Sequence, residues 1–177
     1  NKIINESHSL YSIISKTKIS RGKNRDGIIA ACVFYACKEV GCPRSTKEIA
    51  RIFDLNITII TKGCKKFTEI LHLNKGHRLN NSSCINPSDF VERFCNNFDF
   101  NENDINNIKK ICKKADDLNI IAENTPPSFA AGCIYYYIKK NNLNITKKQL
   151  SDVCKISEVT INKCYKKIQD SENLFNE

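Results

Sequence analysis

Residues Lys147 to Ile168 read KKQLSDVCKISEVTINKCYKKI, and the fold is decided by how this stretch is read. It predicts two short helices joined by a tight turn. Leu150 and Cys154 stand one helical turn apart, and Ile161 and Cys164 stand three residues apart, so each pair shares a helix face. With Ile156 they form the apolar side of the pair. Ser157 suits the N-cap of the second helix, since its hydroxyl can accept an otherwise unpaired backbone N–H, and Glu158 is favourable in the first turn. Ser151 is small enough to let the helices approach. The spacing resembles a helix-turn-helix, whose second helix can lie in a DNA major groove. Val159, Thr160, Asn162, Lys163, Lys166 and Lys167 are then left for solvent or a partner. An ordinary pair of core helices with a solvated basic face shares the pattern, so the stretch alone does not separate the two.

Working outward, the same pattern recurs at a constant offset of 101 residues. Ala30-Ala31-Cys32-Val33-Phe34-Tyr35 falls on Ala131-Gly132-Cys133-Ile134-Tyr135-Tyr136. Ile49, Ile52, Leu55 and Ile60 fall on Leu150, Val153, Ile156 and Ile161, and Lys62, Lys65 and Lys66 fall on Lys163, Lys166 and Lys167. An ungapped match over roughly forty positions is a true internal repeat, and units this long are domains rather than solenoid modules. The expected organisation is a first repeat over 1–72, a linker over 73–86 and a second repeat over 87–177.

Within the first repeat, Asn1 to Ser15 has the periodicity of an amphipathic helix. Ile19 to Arg25 reads as a basic loop. Asp26 to Val40 is apolar around most of its circumference, as a central buried helix should be, and Gly41 stops it. Ser45 and Glu48 form a capping box for a short helix with Ile49 and Phe53 inward. Asn56 starts a longer helix to about Leu71. Leu73 to Asn86 is polar and loop-like, carrying Gly76 and the run Asn80 to Ser83. The second repeat is expected to hold five helices: Pro87 to Asn97, Asn103 to Asn119 with Asn103 as cap, Ser128 to Lys140 after Pro126-Pro127, Lys147 to Cys154, and Ser157 to Ser171. The first shows four; by the offset its opening helix would lie before residue 1. The fold class expected is all-α, with each repeat ending in a helix-turn-helix-like pair.

Of the 177 residues 41% are apolar, enough for real cores, and a net charge of +9 suits a polyanionic partner. Frequent Asn, Ile and Lys fit an AT-rich coding genome, which raises lysine without functional selection. The ten cysteines form no CxxC pair, and His8, His72 and His77 complete no zinc spacing. Cys32, Cys112, Cys133, Cys154 and Cys164 fall on apolar helical positions, so they read as reduced thiols packed as small hydrophobes in a nuclear or cytosolic protein. No apolar run is long enough to span a membrane, and no signal peptide is visible. The absence of Met, initiator included, reads as a fragment. No nucleophile, base and orienting group cluster, so an enzyme is the weakest expectation.

Several separate stretches carry a family likeness. Arg21-Gly22-Lys23-Asn24-Arg25-Asp26, followed by Ala30 to Cys37 and by Pro43-Arg44-Ser45-Thr46-Lys47-Glu48-Ile49, resembles the first-repeat signature of the transcription factor IIB family. Phe90 with Arg93-Phe94-Cys95, then Pro127 to Tyr135, then Glu158-Val159-Thr160-Ile161, is similar to its second repeat. The resemblance implies tandem five-helix cyclin-like repeats, the first lacking its opening helix. It also implies a non-enzymatic initiation factor, with a core that grips the TATA-binding protein and touches promoter DNA on both sides of the TATA element. The family's amino-terminal zinc ribbon and reader segment, which engage RNA polymerase, have no counterpart in this fragment, so no cofactor is expected here. The implied protein is a monomer, nuclear, or cytoplasmic if it is a virus factor or archaeal-type protein; divergence this wide fits a protist or a large DNA virus. The resemblance places upstream reading on Val159, Thr160 and Asn162, backed by Lys163, Lys166 and Lys167. Downstream contact falls on Thr61, Lys62, Lys65 and Lys66. Asn162 stands where animal members carry arginine, and asparagine suits adenine where arginine suits guanine. Thr61-Lys62 replaces the family's Gly-Arg pair. The alternative is a cyclin-type protein-docking module that regulates a kinase, although no match to a cyclin substrate-docking motif is visible.

Overall fold

A computed structural model describes residues 2–17, 19–73, 85–120 and 123–175. Among them all regular structure is helical. The chain divides into two compact units, Asn1–Ile85 and Asn86–Glu177. Unit 1 contains α1 (Lys2–Thr17), α2 (Lys23–Glu39), α3 (Thr46–Ile52) and α4 (Ile57–Leu73). Unit 2 contains α5 (Ser88–Cys95), α6 (Glu102–Asp117), α7 (Pro126–Lys140), α8 (Lys147–Cys154) and α9 (Glu158–Asp170), then a 3-10 turn, Glu172–Phe175. The expected loop features at Gly76, His77 and Asn80 to Ser83 lie outside the described residues.

At the offset of 101, helices α1 to α4 fall on α6 to α9, and the backbone repeats in detail. Gly41 (φ 76°) and Asn142 (φ 51°) are both left-handed, as are Asp54 (φ 49°) and Lys155 (φ 55°) in the two helix-pair turns. Asn and Asp tolerate this region better than most residues; Lys155 does not, so the turn geometry there is imposed by its surroundings. The ends of α2 and α7 close alike. Cys42 N–H donates to Cys37 O at 2.9 Å and Leu143 N–H to Ile138 O at 3.0 Å, each satisfying a terminal carbonyl. Among the described residues of unit 1, α5 has no counterpart.

Caps set the remaining boundaries. Ser45 and Glu48 make the expected capping box, and Thr146 with Gln149 makes an equivalent one on α8. On α6 the cap is Asn101, not Asn103: its Oδ1 accepts from Asp104 N at 2.9 Å while Asp104 Oδ2 accepts from Asn101 N at 3.1 Å. Helix α2 starts at Lys23, so the second half of the expected basic loop is its first turn. Gly22 O accepts from Arg25 N at 2.8 Å and from Asp26 N at 3.2 Å. Helix α7 starts at Pro126, because a missing N–H costs nothing in a first turn. Pro87 instead stands just before α5, as its N-cap.

Each unit is built on a central helix. Helix α7 is buried at every residue from Phe129 to Ile138, packed by α5, α6, α8 and α9. Helix α2 packs against α1, α3 and α4, and keeps Val33, Phe34 and Tyr35 half-buried. The unit 1 core joins Leu10 and Ile14 of α1 to Ile28, Ala31 and Cys32 of α2 and Phe67, Ile70 and Leu71 of α4. A smaller cluster, Ala30, Ile49, Ala50 and Ile60, seats α3. Three apolar positions expected on inward stripes are exposed: Ile4 in the first turn of α1 (52%), Ile52 at the end of α3 (70%) and Leu118 at the C-cap of α6 (41%). All stand at helix ends, where the inward face runs out.

The cysteines named from periodicity, Cys32, Cys112, Cys133, Cys154 and Cys164, are all buried, while Cys42 is exposed. Burial pushes the Cys32 and Cys95 thiols from an ordinary 9.0 up to about 12 and Cys64 up to about 11. A folded thiol that holds its proton more tightly than the unfolded one contributes stability that is complete below about pH 9 and is lost as pH rises toward 12. The denaturation midpoint should therefore fall steadily above pH 9, and Cys32→Ala should flatten that fall. A thiol reagent at pH 8 should modify Cys42 rapidly and the buried thiols only on unfolding. Rapid labelling of Cys32 or Cys133 in the folded protein would contradict this packing.

Candidate nucleic-acid interface

Helices α8 and α9 meet at the turn formed by Lys155 and Ile156. Leu150, Cys154, Ile156, Ile161, Cys164 and Ile168 are all buried, which leaves only the opposite faces for a partner. Ser151 does more than leave room: its Oγ donates to Ile156 O at 2.6 Å and ties the turn to α8. Ser157 caps α9 as expected, its Oγ accepting from Thr160 N at 3.2 Å.

The outer face of α9 presents Val159, Asn162, Lys163 and Lys166 at spacings of three and four residues, so they form one row. Val159 is 65% exposed, so its side chain is open to a partner. Lys163, Lys166 and Lys167 are exposed. Lys167 reaches Glu123 at 3.4 Å, an exposed pair of small energetic weight. Thr160 is half-buried and its hydroxyl is engaged with Ser157 at 2.8 Å, which turns it toward the cap. On α4, Thr61, Lys62 and Lys65 are exposed and Lys66 is half-buried. Thr61 Oγ1 donates to Ile57 O at 2.9 Å. Each unit thus carries a lysine row on the second helix of its terminal pair.

Sequence reasoning missed Lys147. Its Nζ donates to Asn162 Oδ1 at 2.9 Å and lies 5.4 Å from the centre of the Tyr135 ring, which itself packs edge-on against Tyr165. A cation in the first turn of a helix opposes the helix dipole. The ring and the amide offset that cost, and Lys147 in turn fixes the amide: a lysine only donates, so Oδ1 faces it and the NH2 group points elsewhere. The only sequence signal was a Lys147-Lys148 pair at an electrostatically unfavourable helix start. Nothing local links Lys147 to a residue fifteen positions on.

A cavity of about 410 Å³ lies between α1 and the start of α2, lined by Tyr11, Arg21, Gly22 and Arg25 among others. Arg25 Nε donates to the Tyr11 hydroxyl at 3.2 Å there. Among the described residues no three His, Cys, Asp or Glu side chains gather to hold a metal ion. No helix among them is long and apolar enough to cross a membrane.

The sequence matches the family model described as transcription factor TFIIB repeat, over residues 1–70 and 80–171. It is 34% identical over 163 residues to a transcription initiation factor IIB-like protein of Acanthamoeba polyphaga mimivirus, covering 91% of this chain and 35% of that protein. Transcription initiation factor IIB of Encephalitozoon cuniculi is 30% identical over 170 residues, and that of Xenopus laevis 28% over 166. Each alignment covers 94% of this chain; they cover 51% and 50% of those proteins respectively. The chain therefore spans between about a third and about half the length of these relatives.

Proposed function

Because this chain belongs to the transcription factor IIB repeat family, we propose that it is the core of a general transcription initiation factor, binding the TATA-binding protein and the promoter DNA that flanks the TATA element. Its repeats occupy 1–72 and 87–177, joined by a linker over 73–86, and its role is non-enzymatic. RNA polymerase is engaged through regions outside this chain. It works in the nucleus, or in the cytoplasm if it serves a virus.

The observation that carries this reading is the paired lysine rows: Lys62, Lys65 and Lys66 on α4 recur as Lys163, Lys166 and Lys167 on α9. A kinase-docking surface has no need of basic residues at equivalent positions on both terminal helices, whereas a duplex flanking one central site presents phosphates to both. In this reading α9 enters a major groove with Val159 against a thymine methyl and Asn162 toward adenine. A co-migrating complex with TATA-binding protein on a TATA duplex, and no capture of a kinase, is the expected result. Failure to form that complex refutes the proposal.

Base reading at Asn162 has its own expected outcome. Lys147 occupies one lone pair of Oδ1, so a two-point adenine contact competes with it. On duplexes varied only upstream of TATA, the preference for A/T at the contacted pair should be about 1–3 kcal/mol. Lys147→Ala should sharpen it, and Asn162→Arg should shift it toward guanine. An Asn162→Ala protein with unchanged preference would show that the side chain reads nothing.

A further inference from the structure

Tyr135 is buried beside the α8–α9 pair and carries two cations on its ring. Lys147 Nζ lies 5.4 Å and Lys139 Nζ 5.6 Å from the ring centre. Among the described residues neither ammonium pairs with a carboxylate, whereas the next lysine of α7, Lys140, faces Glu172 at 2.8 Å. Two like charges on one ring repel, and an anion that joins them relieves the repulsion. In a helix-turn-helix the first helix crosses the nucleic-acid backbone, and Lys147 opens that helix, α8. A phosphate is therefore the anion that docking brings to the pair.

The same ammonium is tied to the base-reading side chain. Lys147 Nζ donates to Asn162 Oδ1 at 2.9 Å. An amide reads adenine by accepting from its N6 amino group and donating to N7 together, so Oδ1 has to be open. While Lys147 stays on Oδ1, Asn162 offers only its NH2 donors. Lysine is a flexible point charge, and an ionised phosphate oxygen is a stronger acceptor for it than a neutral amide. The first repeat lacks this arrangement: at the offset of 101, Lys147 and Asn162 fall on Thr46 and Thr61, and Tyr135 falls on Phe34.

We propose that Lys147 is a specificity-determining switch on Asn162: a backbone phosphate of the upstream flank, held by Lys139 and Lys147, draws Lys147 off Oδ1 and frees the amide to read adenine. Base discrimination is then conditional on backbone docking. A duplex that touches α9 without seating its phosphate against Lys139 and Lys147 is bound but not discriminated. This inference rests on the placement of α9 in a major groove.

The test measures binding of the whole chain, with TATA-binding protein, to TATA duplexes carrying A·T or G·C at the contacted upstream pair. In each duplex one upstream phosphate at a time is replaced by an uncharged methylphosphonate. At one position the replacement should cut the A·T preference by about threefold or more, the scale of one exposed charged contact. In Lys147→Ala the same replacement should leave the preference unchanged and at least as large as the parent's. Overall affinity of that variant should fall, and its salt slope should drop by about 1. Circular dichroism checks that the variant is folded, and the methylphosphonate series on the parent protein needs no variant. Downstream replacements should weaken binding without changing any base preference. An A·T preference that no upstream replacement alters, or that alters equally in Lys147→Ala, overturns this inference and leaves the major-groove reading standing. A complex with no A·T preference overturns both, and absence of a complex removes the initiation-factor reading with them.

Discussion

Gly63→Ala should unfold the first repeat well before the second. A Cβ at Gly63 would stand 2.0 Å from Gly27 O and 2.4 Å from Gly27 C, inside the backbone of α2. Glycine to alanine within a helix ordinarily gains about 1 kcal/mol. Here the steric term wins, because the atoms met are main-chain atoms of a packed helix and have no rotamer to escape to. Overpacking of this kind costs about 1–3 kcal/mol and occasionally more. With the propensity gain subtracted, a net loss of up to about 2 kcal/mol is expected in urea denaturation. Lys65→Ala, exposed on the same helix, should stay within about 0.5 kcal/mol. The second repeat makes the same contact differently. A Cβ on Gly132 would lie 2.4 Å from Cys164 Cβ, and these positions are the equivalents of Ala31 and Gly63. Gly132→Ala should therefore destabilise, and adding Cys164→Gly should restore part of the loss by recreating the first repeat's pairing. A Gly63→Ala protein as stable as the parent would mean that the two helices do not cross at this point.

Duplex affinity of the isolated chain should collapse with salt. If four to six phosphates meet the lysines of α4 and α9, log affinity falls with log salt at about −0.9 per phosphate, a slope of about −4 to −5. Raising monovalent salt from about 50 to 200 mM then costs two to three orders of magnitude in affinity. Lys166→Ala should weaken all duplexes alike and reduce the slope by about 1. Lys167→Ala should act less, because Lys167 is already shared with Glu123. Lys66 is half-buried, so Lys66→Ala should move stability as well as affinity, through loss of its packed stem. The measurement is a salt titration at fixed duplex length. A slope near zero would remove the lysine rows from any role in DNA binding.

The sequence alone determined what depends on near neighbours. Apolar spacing located the helices, and capping residues set the starts of α3 and α9, because a helix closes its hydrogen bonds within four residues. The offset of 101 revealed the two repeats, and an unbroken apolar run marked α7 as a buried central helix. Boundaries slipped where two signals competed. Asn101 and Asn103 both resemble caps, and only Asn101 has Asp104 three residues on to reciprocate. Pro126-Pro127 reads as a break but serves as a first turn.

Tertiary structure alone decided what depends on where helices cross. The close contact lies at Gly27–Gly63 in one repeat and at Gly132–Cys164 in the other; Ser128 aligns with Gly27 and Ala31 with Gly132, but small residues along a helix do not by themselves say where two helices cross. Lys147 and Asn162 are fifteen residues apart, and Tyr136 and Glu172 thirty-six. Such pairs leave no periodic trace, because their distance is set by the rotation and axial offset of packed helices rather than by spacing along the chain. The helix that presents Asn162 was therefore legible in the sequence, while the lysine that restrains its amide, and the carboxylate of Glu172 on Tyr136 and Lys140, emerged only once α7 to α9 were packed together.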